Sequence, residues 1–395
     1  MHIILFDSAQ SRTQLMPFTF TRPISDIRVG ILKIQEKWEL HFKNVSPLTE
    51  NYLQAKFPVQ FDTKNCYVNS QCLPSKKLVK SIKRIKKGEA IFSDGKLVAF
   101  CVENKIENYS EIADFVASSE LTKNEFKSDL NWLENRISIF ELNRAEIISD
   151  FGWITKNRQS EEISDPHTIV YGEENIFVEH GAKIRASILN AEDAPIYIGK
   201  NAEVHEGSFI KGAFALCEGA HVNPGAKMRG DSTIGPFCKV GGEVSNSVFF
   251  GYSNKGHDGF VGNSVLGEWC NLGADTNTSN LKNNYGNVSV WNYETQENEQ
   301  TDSLFCGLMM GDHSKCGINT MFNTGTVVGV SSNIFGADFP AKYIPSFAWG
   351  GKTFEPFKLE KAYEVAERMM GRRKVEFTDF DKAIFEEVRK LDGIK

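Results

Sequence analysis

No stretch of this chain approaches the ~20 consecutive apolar residues that a membrane span needs. The opening run Met1-His2-Ile3-Ile4-Leu5-Phe6-Asp7 meets an acid before it reaches the length of a secretory signal. The sequence therefore predicts a cytoplasmic protein with no membrane contact. An excess of basic residues is missing too. With 45 Lys+Arg against 51 Asp+Glu the net charge is −6, so no general electrostatic footprint for nucleic acid or an anionic bilayer exists. Small anions held by local cations remain open. Eight cysteines are present without a single C-x-x-C pair, which argues against a zinc knuckle or a redox motif. They read as reduced packing thiols.

What is present is a beat of six. Ile198, Val204, Ile210, Leu216, Val222, Met228, Ile234 and Val240 follow one another at six-residue spacing without a miss. If roughly a quarter to a third of positions qualify as apolar, eight successive hits arise by chance about once in ten thousand tries. Neither a helix nor a single strand has this period. It is the signature of a hexapeptide β-helix, in which each hexad forms one side of a triangular prism and points its apolar residue at the axis. A second run, Leu304, Met310, Cys316, Phe322, Val328 and Ile334, keeps the beat, and Phe260, Leu266 and Leu272 form a partial run between. Turn-forming residues such as Gly199-Lys200-Asn201 and Gly235-Pro236 fill the corners. Three hexads make a coil, so Ile198, Leu216 and Ile234 should stack.

Four regions follow. Residues 1–105 read as a small α/β domain. It opens with the strand Ile3-Ile4-Leu5 and a helix carrying Ile27, Ile31, Ile34 and Trp38. A second helix carries Leu78, Ile82 and Ile85, and a hairpin turns at Asp94-Gly95. Residues 106–165 read as a connecting arm with a helix around Ile139, Leu142 and Ile147. Residues 166–350 hold the prism, interrupted by a polar loop from Thr276 to Asp302. Residues 351–395 return to helical spacing, one helix with Leu359, Tyr363, Ala366 and Met369 and another capped by Thr378.

The densest polar run is Gly251-Tyr252-Ser253-Asn254-Lys255-Gly256-His257-Asp258-Gly259-Phe260-Val261-Gly262-Asn263, continued by Asn271-Leu272-Gly273-Ala274 and reaching Asn280. These residues resemble the acetyltransferase half of the bifunctional N-acetylglucosamine-1-phosphate uridylyltransferase / glucosamine-1-phosphate acetyltransferase family. The resemblance implies a left-handed parallel β-helix, a homotrimer with active sites between subunits, and acetyl-CoA as co-substrate. It places His257 on the catalytic base and Asn271 and Asn280 on active-site asparagines. An imidazole suits the removal of a proton from an attacking sugar amine, and amides suit the developing oxyanion. Phe260 stands where the family has a tyrosine and Gly241 where it has a sugar-phosphate arginine. Lys239, Lys255 and Lys282 are the nearby cations able to substitute, and the identity of the acceptor stays open. His180, His205, His221 and His313 read as structural, and no metal site is assigned among them.

The start of the chain resembles the nucleotidyltransferase half of the same family through Phe18-Thr19-Phe20-Thr21-Arg22-Pro23, which implies a Rossmann-type head. Arg12 and Arg22 are its candidate nucleotide-binding residues, with Mg2+ as its possible metal. The family's glycine-rich loop is replaced by Asp7-Ser8-Ala9-Gln10-Ser11-Arg12, without a glycine, and a backbone lacking glycine approaches a triphosphate less closely. Val68-Asn69-Ser70-Gln71 stands where a metal-binding aspartate is expected. The first reading is a two-headed transferase of amino-sugar nucleotide synthesis. The alternatives are one active half with a degenerate head, and a non-catalytic sugar-nucleotide-binding scaffold. A metal-dependent hydratase would need three converging histidines, which the spacing does not favour.

Overall fold

The computed structural model describes residues 1–103 and 105–394. The chain divides into two compact units, Met1–Ile27 with Leu32–Ser138, and Arg28–Ile31 with Ile139–Lys395.

The first unit is built on a six-stranded sheet in the order Val45–Leu48, His2–Phe6, Asn65–Asn69, Lys96–Val102, Glu89–Ser93, Thr122–Glu125. The first three strands run parallel. Every residue of His2–Phe6 is buried, as expected for a parallel strand covered on both faces. The hairpin at Asp94-Gly95 forms as read, pairing Glu89–Ser93 with Lys96–Val102. The helix Lys76–Arg84 also forms, capped by Ser75 and burying Leu78, Val79 and Ile82. Tyr67 stacks on Phe100 at 4.8 Å in the core of this sheet.

Two expectations fail in this part of the chain. The helix expected across Ile27 to Trp38 is confined to Ile34–Glu39. Gly30 stands at φ +80° with space for no side chain, since a Cβ there would lie 2.6 Å from Asp150 Oδ2. Asn143 Oδ1 accepts from Gly30 N–H at 2.8 Å, and Asp150 Oδ2 accepts from Ile31 N–H at 2.9 Å. Side chains of the helix Asn143–Ile154 thus take N–H groups that a continuing helix would have used internally. The boundary at residue 105 also moves. Helix Ile112–Ser118 follows it, and Thr122–Glu125 then adds to the sheet beside Glu89–Ser93. The region read as an arm is therefore largely part of the first unit, which ends at Ser138.

In the second unit three parallel sheets form the sides of a β-solenoid, the longest with nine strands. Ile198 pairs with Leu216 and Leu216 with Ile234, as the hexad beat demands. All eight residues of the first run are at most 2% exposed. Beyond Ile234 the coils shorten. Ile234 pairs with Phe249, a step of 15 residues instead of 18, and Val240 pairs with Lys255. The slip makes Val261, fully buried, the inward residue and turns Phe260 partly outward. In the second run Leu304 lies outside the prism at 45% exposure, while Met310, Cys316, Phe322, Val328 and Ile334 are buried. The polar insertion carries an antiparallel hairpin, Ser289–Asn292 with Glu297–Gln300. Trp291 of this hairpin stacks on Tyr343 at 4.0 Å.

One corner of the prism carries bulky residues in left-handed backbone geometry. Phe237, Tyr252, Trp269 and His313 have φ of 58°, 53°, 63° and 61°. Side chains rarely tolerate this region. Here the coil geometry stacks them, with Tyr252 on Phe237 at 5.2 Å and Trp269 on Tyr252 at 4.1 Å, and such contacts offset part of the backbone cost. Helices Leu359–Gly371 and Asp379–Asp392 complete the unit. Phe385 meets His313 edge-on at 5.1 Å, which gives that histidine a packing role. Thr378 caps the last helix through a capping box with Asp381. All eight cysteines are buried free thiols. Among the described residues no helix is long and apolar enough to cross a membrane.

Candidate functional site

The third side of the solenoid displays two outward columns. The first column runs Glu203, His221, Lys239, Asn254, Asn271 and Lys315 on successive coils. Two residues further along each strand the second column reads His205, Asn223, Gly241, Gly256, Gly273, Gly317. Four consecutive glycines leave a floor without side chains. A Cβ on Gly241 would lie 2.6 Å from the Gly256 carbonyl oxygen, and one on Gly273 2.4 Å from the Gly317 carbonyl carbon.

A cavity of about 590 Å³ opens over Gly256 and Gly273 of this floor. His257 and Asn271 both line it, together with Asn223, Lys239 and, from the helix Leu359–Gly371 and the residues after it, Met369, Arg372 and Arg373. His257 is exposed, while the backbone of its turn is held from several directions. Asn223 Nδ2 donates to the Gly256 carbonyl at 2.7 Å. Lys255 Nζ donates to the carbonyls of His257 at 2.5 Å and Asp258 at 2.6 Å. Asp275 N–H donates to the Asp258 carbonyl at 3.1 Å.

Lys255 is the main correction at this site. Read as a cation for the acceptor or CoA, it occupies an inward position of the solenoid, paired with Val240 and fully buried. The shortened coil puts a lysine where the beat calls for an aliphatic. Burial pushes its pKa down to about 8, partly opposed by Asp258 and Asp275. Its ammonium cannot reach a ligand and braces the His257 turn instead. Cation chemistry in the cavity falls to Lys239, Arg372 and Arg373. Arg373 Nη2 donates to the Phe237 carbonyl at 3.4 Å. Neither arginine carried a sequence signal beyond being a basic pair after a helix, and only the docking of that helix brings them to His257.

The other expected residues lie elsewhere. Asn280 Nδ2 donates to Asn263 Oδ1 at 2.8 Å. Phe260 belongs to the strand Phe260–Gly262 of a different side of the prism. Lys282 Nζ donates to the Asn287 carbonyl at 2.7 Å within the polar insertion. None of the three lines the cavity. A constellation that adjoins in sequence is thus split between sides of the prism, because each hexad turns a corner.

In the first unit, Arg12 and Arg22 are also corrected. Arg12 is 3% exposed, donates to Asp7 Oδ2 at 3.0 Å and Thr49 Oγ1 at 2.8 Å, and also reaches the Thr19 carbonyl. Arg22 is 2% exposed and donates to Asp26 Oδ2 at 3.2 Å. The whole run Phe18-Thr19-Phe20-Thr21-Arg22-Pro23 is buried. These guanidinium groups hold the fold, since taking either from its acid would leave a buried charge uncompensated.

Residues 3–159 match the family model of sugar nucleotidyl transferases, so the amino-terminal part of the chain is similar to that family. Among curated proteins, the chain is 29% identical over 135 residues to a bifunctional protein GlmU of Trichodesmium erythraeum, covering 34% of this chain and 24% of that protein. It is 37% identical over 87 residues to the GlmU of Methanocaldococcus jannaschii, 22% of this chain and 21% of that protein. It is 27% identical over 160 residues to a bifunctional sugar-1-phosphate nucleotidylyltransferase/acetyltransferase of Sulfurisphaera tokodaii, 40% of this chain and 37% of that protein. The matched segments span about a fifth to two fifths of these relatives.

Proposed function

We propose that the solenoid transfers an acetyl group from acetyl-CoA to the amino group of a phosphorylated amino sugar, with His257 as general base. The observation that carries this reading is the meeting of His257 and Asn271 in one cavity with Lys239, Arg372 and Arg373. The sugar nitrogen attacks the thioester carbonyl carbon, and His257 takes the proton that the nitrogen sheds. The C–S bond then breaks, and the proton passes from His257 to the departing thiolate. In this reading the Asn271 amide holds acceptor or oxyanion, and the three cations suit phosphate groups. The bifunctional relatives support this acceptor class, with a homotrimer in the cytoplasm as the working form.

The head invites the sugar-1-phosphate nucleotidyl transfer of the same relatives. The burial of Arg12 and Arg22 favours the second reading, in which only the solenoid is active. Asp7, the acid ending the first strand, accepts from Arg12, from Thr49 at 2.6 Å and from the Ile24 N–H. A carboxylate so engaged does not fit a Mg2+ ligand.

A paired assay on wild type and His257→Ala tests both halves. CoA release from acetyl-CoA is followed with a panel of amino-sugar phosphates, and pyrophosphate release is followed from nucleoside triphosphates with sugar 1-phosphates. Wild-type CoA release that the substitution abolishes is expected. Absence of CoA release on every acceptor overturns the acetyltransferase reading, and pyrophosphate release overturns the inactive head.

A further inference from the structure

One cluster on the third side of the solenoid is left unused by this chemistry. Glu203 and His205 both face outward, with the inward Val204, 1% exposed, between them. His221 is the direct partner of Glu203 on the next coil. We propose that Glu203, His205 and His221 form a binding site for a borderline divalent transition-metal ion, of the Zn2+ or Co2+ type.

The placement is rigid at the backbone, because all three residues sit in or next to a parallel ladder continuous from Lys183–Ile184 to Asn254–Lys255. One ligand atom from each side chain can be chosen so that all lie within 4.8 Å of one another. His205 Nε2 is already 3.5 Å from Glu203 Oε2. Bonds of ~2.0 Å in tetrahedral geometry call for ligand atoms about 3.3 Å apart. Side-chain torsions alone can supply that closure. Two imidazoles and a carboxylate are a donor set for Zn2+, Co2+ or Ni2+ and not for Mg2+ or Ca2+, which prefer oxygen. Three protein ligands leave a further position open.

Two lysines oppose a cation here. Lys239 follows His221 in the column, and Lys183 Nζ lies 3.1 Å from Glu203. Lys183 donates to Oε1, however, whereas His205 approaches Oε2. One carboxylate can therefore keep the lysine and bind the metal. The buried state of all eight cysteines removes thiolate competitors in the folded chain. Asn223, one coil beyond His205 in the second column, lines the main cavity, so the site would adjoin that cavity without sharing His257.

The test uses the untagged full chain, stripped with a chelator and titrated with Co2+ by visible absorption and with Zn2+ by calorimetry. One equivalent per chain with the intense d–d bands of low coordination is expected. His205→Ala and His221→Ala should each weaken it by about 100-fold, and Glu203→Gln by about tenfold. Lys183→Ala should tighten it, an effect that a purely structural ion pair would not produce. Melting in chelator should match wild type for every variant, and Zn2+ should raise the midpoint of wild type and of Lys183→Ala, but that of His205→Ala and His221→Ala little or not at all. Absence of stoichiometric Co2+ binding, or equal binding by a His205→Ala/His221→Ala double variant, overturns the site.

Discussion

Two arginine pairs, one in each unit, are used in opposite ways. In the first, Arg12 and Arg22 turn inward to Asp7 and Asp26, and a run that looks like binding machinery is consumed by folding. In the second, Arg372 and Arg373 follow the axis of a docked helix into a cavity, although the run around them carries no motif. The contrast teaches that a charged residue advertises function only when the fold leaves its head group in reach of a ligand. A buried guanidinium needs a partner and becomes part of the framework.

Substitutions separate the binding role from the framework role. The largest effect is expected for His257→Ala, a fall of about 10²- to 10⁴-fold in CoA release. The melting temperature should stay unchanged, because the imidazole is exposed. Arg12→Met should do the reverse in kind and lower unfolding free energy by about 3–5 kcal/mol in denaturant titration, by stranding Asp7. If Arg12→Met instead leaves stability intact, the framework role assigned to the head's arginines is wrong.

Lys255→Met separates stability from support of the site. Burial lowers the Lys255 pKa to about 8, so at pH 7 the ammonium costs stability, and stability of the variant at pH 7 should hold or rise. CoA release should fall about tenfold as the His257 turn loses two charge-assisted bonds. The folded-state pKa is lowered to about 8 from an ordinary 10.5. Between those values the unfolded chain binds more protons, so wild-type stability should rise with pH across that window. The gain would be on the order of 1–3 kcal/mol. In Lys255→Met this slope should shrink without vanishing, since burial also lowers Lys315 to about 8. The smallest effect is expected for Arg372→Ala, a rise of about tenfold in KM for the phosphorylated substrate with kcat little changed. An unchanged KM would remove Arg372 from the anion-binding set.

Much of the architecture was legible because the hexad beat is local. A residue six positions on meets the same axis whatever the distant chain does, and the pairing of Ile198, Leu216 and Ile234 follows directly. Legibility fails where that spacing slips. The 15-residue coil at Ile234 to Phe249 reverses the expected facing of Lys255 and Phe260, and a long insertion strands Leu304. The helix expected across Ile27 to Trp38 is cut short because the N–H groups of Gly30 and Ile31, which belong to the second unit, find side-chain acceptors over a hundred residues away, at Asn143 and Asp150.

The prism, its inward stack, the hairpin at Asp94-Gly95, the cap at Thr378 and the unusually polar corner at His257 are all legible in the residues alone. Each depends on a few neighbouring residues and on short-range geometry. Which polar groups reach one another depends on the folded chain as a whole. It joined His257 and Asn271 to Arg372 and Arg373, set Asn280 and Phe260 apart from them, buried Arg12 and Arg22, and brought Glu203, His205 and His221 together. The physical reason is that coil length and helix docking fix these distances. Both depend on the sum of many packing contacts spread along the chain, and no local pattern encodes that sum.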